Sequence, residues 1–372
     1  MGEVSFGPQR FGFGCMHLPL KDGEIDIEQT KEMVDYYLSH GFVYFDTAHG
    51  YHDGKSEPAL KTCLTSRYPR NCYLLTDKLT ASFFNKEEDI RPFFQSQLDA
   101  CGVDYFDFYL MHAQGAKNYP KFRSCHAYET AFALKNEGKI RHVGISFHDQ
   151  PEVLEQILTD YPEIEAVQIQ FNYVDYDNPA VESRKCLEAC EKHHKPVIVM
   201  EPVKGGTLAN LPSDCKEVLD TLHGGTPASY ALRFVASFPS IKMILSGMSN
   251  LEQMEDNLSF MKDVKPLNEE EKKAVEKVKE VFRSKNMIPC TACHYCTAGC
   301  QKHILIPDLF YSYNAKNTYK DWNSDAYYHE VATENGHGKA SDCIKCGQCE
   351  RVCPQHLPIR KLLEDVSKQF DK

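Results

Sequence analysis

From residue 11 to about 250, short runs of apolar, β-branched and aromatic residues alternate with longer amphipathic stretches, the pattern of repeated strand-helix units. Eight runs read as strands: RFGFGCM near 10–16, FVYFDT at 42–47, CYLLTDK at 72–78, FDFYLMH at 106–112, RHVGIS at 141–146, AVQIQF at 166–171, PVIVME at 196–201 and IKMILSG at 241–247. Intervals of roughly 25 to 45 residues, with helical segments between, fit a closed eightfold barrel better than an open sheet of five or six strands. FGFG near residue 12 is followed by HLPLKDG, which reads as a loop, so no G-x-G-x-x-G turn enters a helix and an open dinucleotide-binding sheet fails on context. The expected fold is α/β, a (β/α)8 TIM barrel.

After the barrel comes NEEEKKAVEKVKEVFRSKN, residues 268–286. Asn268 before three glutamates reads as a helix cap, and Ala274, Val275, Val278 and Phe282 fall at helical spacing, so a terminal helix packed on the barrel is expected. The barrel domain is therefore read as 1–285, and a small, mainly α-helical second domain as 286–372. The stretch between Cys300 and Cys343 is rich in Tyr, Asn and His, holds the only tryptophan, Trp322, and reads as a helical, partly covering excursion.

A mass of 42.5 kDa accommodates one large barrel plus an appendage. No run of eighteen apolar residues occurs, and the start MGEVSFGPQRFGFG has neither the basic nor the apolar region of a signal peptide, so a cytoplasmic location is expected. The formal net charge of -11 argues against nucleic acid or an anionic membrane surface as the main partner.

Cysteine usage changes the picture most. Eight of the 16 cysteines form two runs of one spacing, C-x2-C-x2-C-x3-C: Cys290, Cys293, Cys296 and Cys300, then Cys343, Cys346, Cys349 and Cys353. Three thiolates at two-residue intervals wrap one face of a cubane, and in two-cluster ferredoxin arrangements the fourth cysteine of each run ligates the other run's cluster. The expected pairing is Cys290, Cys293, Cys296 and Cys353 around one [4Fe-4S] cluster, and Cys343, Cys346, Cys349 and Cys300 around a second. Zinc is the competing metal, but it needs only four thiolates and has no use for this repeated spacing. The other eight, Cys186 and Cys190 at i and i+4 included, show no framework spacing and read as free, mostly buried thiols.

In a TIM barrel the working residues sit at the carboxyl ends of strands. Asp46 and Tyr51 follow the second strand, Asp77-Lys78 the third and His112 the fourth. FDTAHGYHDGKSE, LLTDKL and YLMH resemble the aldo-keto reductase pattern, a resemblance covering residues 5 to about 262, with GIS, VQIQFNY and SGMSNLEQMEDNL matching further along. It implies a catalytic set of Asp46, Tyr51, Lys78 and His112. Tyr51 would give a proton to the developing alkoxide, Lys78 would favour its phenolate, Asp46 would pair Lys78, and His112 would orient the carbonyl.

The resemblance also implies NAD(P) binding. Ser146 and Gln168 would hold the nicotinamide amide, Lys204 and Gly205 the pyrophosphate, and Ser249, Asn250, Gln253 and Asn257 the remaining phosphate and adenosine. Two departures stand out: Phe147 follows Ser146 where the family has Asn, and no Lys or Arg lies between Lys242 and Lys262 to meet a 2'-phosphate. NAD and NADP both stay open. Phe83, Phe84, Phe147 and Tyr173 are candidates for lining an apolar substrate pocket.

Over its full length the chain resembles the branch of this family that carries a C-terminal ferredoxin-like domain. The implied function is carbonyl-alcohol interconversion with NAD(P)(H) on a small-molecule substrate, with the iron-sulfur module serving a redox protein partner. The alternative is an electron-transfer or docking protein whose barrel is a scaffold with little reductase activity. The sequence shows no flavin motif.

Overall fold

The computed structural model describes residues 4–179, 181–222, 224–285 and 287–371. The chain forms two compact units, one of Met1–Pro202 with Ala231–Leu267, the other of Val203–Tyr230 with Asn268–Lys372. No described helix is long and apolar enough to cross a membrane.

The first unit holds a closed barrel of eight parallel strands: β1 (Phe11–Gly14), β4 (Tyr44–Asp46), β5 (Leu74–Leu79), β6 (Phe106–Gln114), β7 (Ile140–Phe147), β8 (Ala166–Gln170), β9 (Val197–Met200) and β10 (Ile241–Ser246). All eight strands read from the sequence are present. The ring closes where β1 pairs both β4 and β10. Between β1 and β4 lies a two-stranded hairpin, β2 (Leu20–Lys21) and β3 (Glu24–Ile25), in the stretch the sequence presented as a loop. Asp22-Gly23 makes its turn with φ of 55° and 80°, the left-handed pair that an Asp-Gly hairpin turn uses.

Strand alternation decides what fills the barrel. Tyr44, Phe108, Leu110, Ala166, Ile198, Met243 and Phe6 form one buried apolar cluster, with Phe6 stacked on Phe108 at 5.0 Å. Side chains two residues further along a strand share its face. Tyr44 therefore places Asp46 inward, Leu110 places His112 inward, and Ala166 places Gln168 inward. Asp77, of opposite parity to Lys78, faces the other way, where burial and neighbouring Glu57 push its carboxyl well above the usual range.

In the second unit the helix Glu269–Ser284 opens on the expected cap: the Asn268 side chain accepts from the Glu270 and Glu271 amides, and the Glu271 carboxylate accepts from the Asn268 amide. Its apolar stripe, Val275, Val278 and Phe282, is buried. This helix falls in the second compact unit and packs on the helix Ser213–Asp220, where Cys215 Sγ lies 4.0 Å from the Val278 carbonyl. The second compact unit takes in Val203–Tyr230 and resumes at Asn268.

The cysteine-bearing part is built on the helices Ile306–Asn314 and Ile359–Phe370 around Leu309, Phe310, Leu363, Val366 and Phe370. Tyr328, from the excursion between the runs, stacks on Phe370 at 4.4 Å and donates to Asp371. That excursion is helical, as expected, and Trp322 is 89% exposed.

Candidate active site and cluster sites

At the carboxyl ends of β4 and β5, Lys78 Nζ donates to Asp46 Oδ1 at 2.6 Å, to the Thr47 carbonyl at 2.8 Å and to Tyr51 Oη at 3.0 Å. All three hydrogens of the ammonium are thus engaged, which is what allows a lysine to be fully buried. Asp46 is held from its other side by Gln168 Nε2 at 3.0 Å. Tyr51 opens the short turn Tyr51–Gly54, anchored by its amide on the Ala48 carbonyl.

His112 faces Tyr51 edge-on, ring centroids 6.1 Å apart. It lies within β6, which continues to Gln114 with a register shift; Ala113 takes φ of 52° there. His112 Nδ1 is 2.7 Å from Thr80 Oγ1. Burial, then the positive charge of Lys78 and the proximity of the His148 ring, hold its pKa well below the usual imidazole value, so the ring is neutral. A Thr80 hydroxyl donating to Nδ1 would leave the proton of the neutral ring on Nε2. A depressed folded-state pKa means that the unfolded chain binds the proton first. The stability His112 contributes as a neutral ring is therefore complete above the unfolded value of about 6.5 and declines as pH falls below it toward the folded value. Urea midpoints at pH 7.5 and 5.5 should differ less in His112→Gln than in the native chain; equal differences would contradict a buried neutral histidine.

The nucleotide candidates fall in different places. Ser146 and Gln168 are adjacent in the β7–β8 register and both buried. Asn257 Nδ2 donates to Ser246 Oγ at 3.1 Å, tying the helix Leu251–Met261 to the end of β10. Asn250 caps that helix by accepting from the Gln253 amide, while Gln253 Oε1 accepts from the Ser249 amide. These three residues shape the helix start. Lys204 and Gly205 lie in the second unit, where Gly205 is packed on Thr291.

Of the pocket candidates, Phe84 is buried against Phe122 and Tyr173 against Phe234, so both serve the core. Phe83 is 39% exposed and stacks on Phe93. Phe147 is buried on β7.

In the second unit a cavity is lined by Cys290, Cys293, Cys296 and Cys353, the fourth cysteine of the second run joining the first three of the first. Cys296 lies within electrostatic reach of the other three thiols. Gly299, next to Cys300, packs on the Gln348 side chain, next to Cys349. The four thiols line one cavity. A cubane, ligated at its corners, suits such a setting. By contrast Cys186 and Cys190, on the helix Ser183–Lys192, are buried, and burial pushes the Cys186 thiol up to about 12, the state of an inert packing residue.

The profile of the Aldo/keto reductase family matches residues 10–280. The chain belongs to the aldo-keto reductase family. A second profile, a 4Fe-4S dicluster domain, matches residues 289–358. Among curated relatives, the NADH-specific methylglyoxal reductase of Escherichia coli is 25% identical over 310 residues, covering 70% of this chain and 92% of that protein. An uncharacterized oxidoreductase of Schizosaccharomyces pombe is 26% identical over 275 residues, 69% of this chain and 84% of that one. Among solved structures, an aldo-keto reductase from Klebsiella pneumoniae in complex with NADPH superposes with a TM-score of 0.60 at 21% identity, over 73% of this chain and 90% of that one.

In this aldo-keto reductase several site neighbours escaped the sequence reading. Thr80 orients His112, and the Thr47 carbonyl takes the third Lys78 hydrogen. His148 lies 3.4 Å from Ser146 Oγ. The signal for Thr80 and His148 was strand parity: each stands two residues beyond a predicted site residue, Lys78 or Ser146, and threonine and histidine are common enough that parity alone did not single them out.

Proposed function

We propose that the barrel interconverts a small-molecule carbonyl and its alcohol with NAD(P)(H), and that the second unit holds two [4Fe-4S] clusters that exchange electrons with a protein partner. The observation that carries the first part is the buried Lys78 ammonium spanning Asp46 and Tyr51 Oη. The nicotinamide, when bound, supplies a hydride for the carbonyl carbon. Tyr51 then gives its phenolic proton to the carbonyl oxygen as negative charge develops there, and recovers a proton from solvent. Lys78 stabilises the phenolate left behind, since an opposite charge at hydrogen-bond distance favours the ionised form. Asp46, fixed by Gln168, balances the lysine charge. Neutral His112, its Nδ1 held by Thr80, points an Nε2–H toward the same oxygen and orients it without adding a competing positive charge. Such positioned proton donors contribute ~10²–10⁴-fold to rate.

Nucleotide preference follows from the loop after β10. Glu252, Glu255 and Asp256 stand on the helix Leu251–Met261, and residues 243–261 contain no Lys or Arg. A 2'-phosphate placed there would meet carboxylates and no cation. NADH should bind more tightly than NADPH in a fluorescence titration of the purified protein; equal or tighter NADPH binding would show that a cation from elsewhere reaches the phosphate.

Cys290, Cys293, Cys296 and Cys353 would hold the first cluster, and Cys343, Cys346, Cys349 and Cys300 the second. The clusters, when bound, supply one-electron transfer. Cys346 is exposed, Ile344 beside it is 50% exposed, and the Lys345 and Arg360 side chains flank that loop. An apolar tip with a charged rim next to a redox centre favours a docking partner. Two cysteine runs of iron-sulfur spacing and eight further cysteines without framework spacing suit a reducing compartment, which supports a cytoplasmic location.

A further inference from the structure

Thr291 stands between two candidate ligands, Cys290 and Cys293, and lines the cavity they share with Cys296 and Cys353. It is 2% exposed, and its hydroxyl is buried with no hydrogen-bond partner among the described residues. Buried hydroxyls in native folds are nearly always paired, so an unpaired one calls for a partner outside the polypeptide, an ordered water or a bound group. The cavity's lining offers the cysteine sulfurs and the Gln355 amide oxygen as side-chain acceptors, the Thr291 hydroxyl is paired with none of them, and a bound cubane would add its own sulfurs.

The backbone of Thr291 is braced from outside the cavity. Gly205 takes φ of +60°, and a Cβ there would stand 2.5 Å from the Thr291 carbonyl oxygen, 2.7 Å from its Cα and 2.8 Å from its carbonyl carbon. Only a residue without a side chain lets the loop after β9 press on Thr291 this closely. Lys204 beside it is buried, so the brace is packed and not a surface turn.

We propose that Thr291 donates its hydroxyl hydrogen to a sulfur of the first [4Fe-4S] cluster, and that Gly205, packed on its backbone, holds it in place. Thr291 is thus a positioning residue that sets the first cluster's potential and leaves the second's alone. The inference rests on the reading that Cys290, Cys293, Cys296 and Cys353 hold a cluster. Reduction adds negative charge to a cluster, so a donor to its sulfur stabilises the reduced form, and removing that donor lowers the potential.

The test uses full-length protein purified anaerobically, with iron and sulfide counted and each cluster's midpoint followed by EPR during a redox titration. Thr291→Val should keep its iron and move one midpoint to more negative potential while the other stays, and Thr291→Ser should match the native protein. Gly205→Ala should move the same midpoint or shed about half of the iron, since one cluster of two is affected. Should Thr291→Val lose its cluster through crowding, Thr291→Ala removes the hydroxyl without added volume and must shift the midpoint in the same direction. Unmoved midpoints in either iron-replete variant, or a shift in Thr291→Ser equal to that in Thr291→Val, would overturn the proposal. Native protein lacking iron at the first run would overturn the cluster reading itself, and the iron count separates that failure from the first.

Discussion

Tyr51→Phe is expected to lower kcat for carbonyl reduction by at least about a hundredfold while leaving the iron content and visible absorbance of the clusters as they are. The substitution removes one oxygen and keeps the ring, so the edge-on contact with His112 and the Lys78 ammonium above the ring face, 4.8 Å from its centroid, both survive. What disappears is the proton source. The Lys78–Asp46 pair remains, but the ammonium loses its third side-chain or backbone acceptor set at Tyr51 Oη, a modest change beside the loss of the reacting group. A Tyr51→Phe enzyme that reduces carbonyls at the native rate, with clusters intact, would remove Tyr51 from the chemistry. Steady-state rates and an absorbance spectrum on one preparation decide it.

Cys353→Ser carries the second large effect. The residue lies in the second run by sequence but lines the cavity of the first. Loss of its thiolate should therefore damage the cluster held by Cys290, Cys293 and Cys296, and iron content should fall by about half, as expected when one of two clusters is lost. The EPR signal that remains should be the one abolished by Cys300→Ser. If instead Cys353→Ser and Cys346→Ser abolish the same signal, each run closes on its own cluster and the crossed assignment is wrong. Barrel activity should outlast both substitutions, because Asp46, Tyr51, Lys78 and His112 all belong to the other compact unit.

Much of this architecture was legible in the chain because it rests on periodicity. PVIVME is an apolar run and AVQIQF alternates Val167, Ile169 and Phe171 with Gln168 and Gln170, both bounded by polar segments, and β8 and β9 lie within those runs. Asp46, Lys78 and His112 were found at strand ends because a barrel exposes its chemistry there, and the structure brings Asp46, Tyr51 and Lys78 into direct contact. The cysteine spacing was legible for the same reason, as a local geometric repeat.

What escaped was set by tertiary packing. The apolar stripe of Glu269–Ser284 announces a buried face but not its partner, and Cys215 and Val278 are 63 residues apart in sequence. Phe84 and Tyr173 look like pocket linings in sequence, since an aromatic after a strand has no mark saying whether it faces a cavity or the core. Gly205 reads as a phosphate turn, and its closeness to Thr291 depends on a contact across more than eighty residues. The Asp-Gly turn of β2 and β3 was visible, but two-residue strands leave no periodicity to read.

Anaerobic titration of the cluster-loaded protein with NADH carrying deuterium at both nicotinamide C4 positions, before and after adding small aldehydes and ketones, tests hydride chemistry in the barrel most directly. Hydride transfer beside Tyr51 predicts deuterium on the carbinol carbon of the product and cluster absorbance that does not bleach until a one-electron reductant is added. Bleaching by NADH alone, or product without deuterium, would contradict it and make the clusters part of the turnover path.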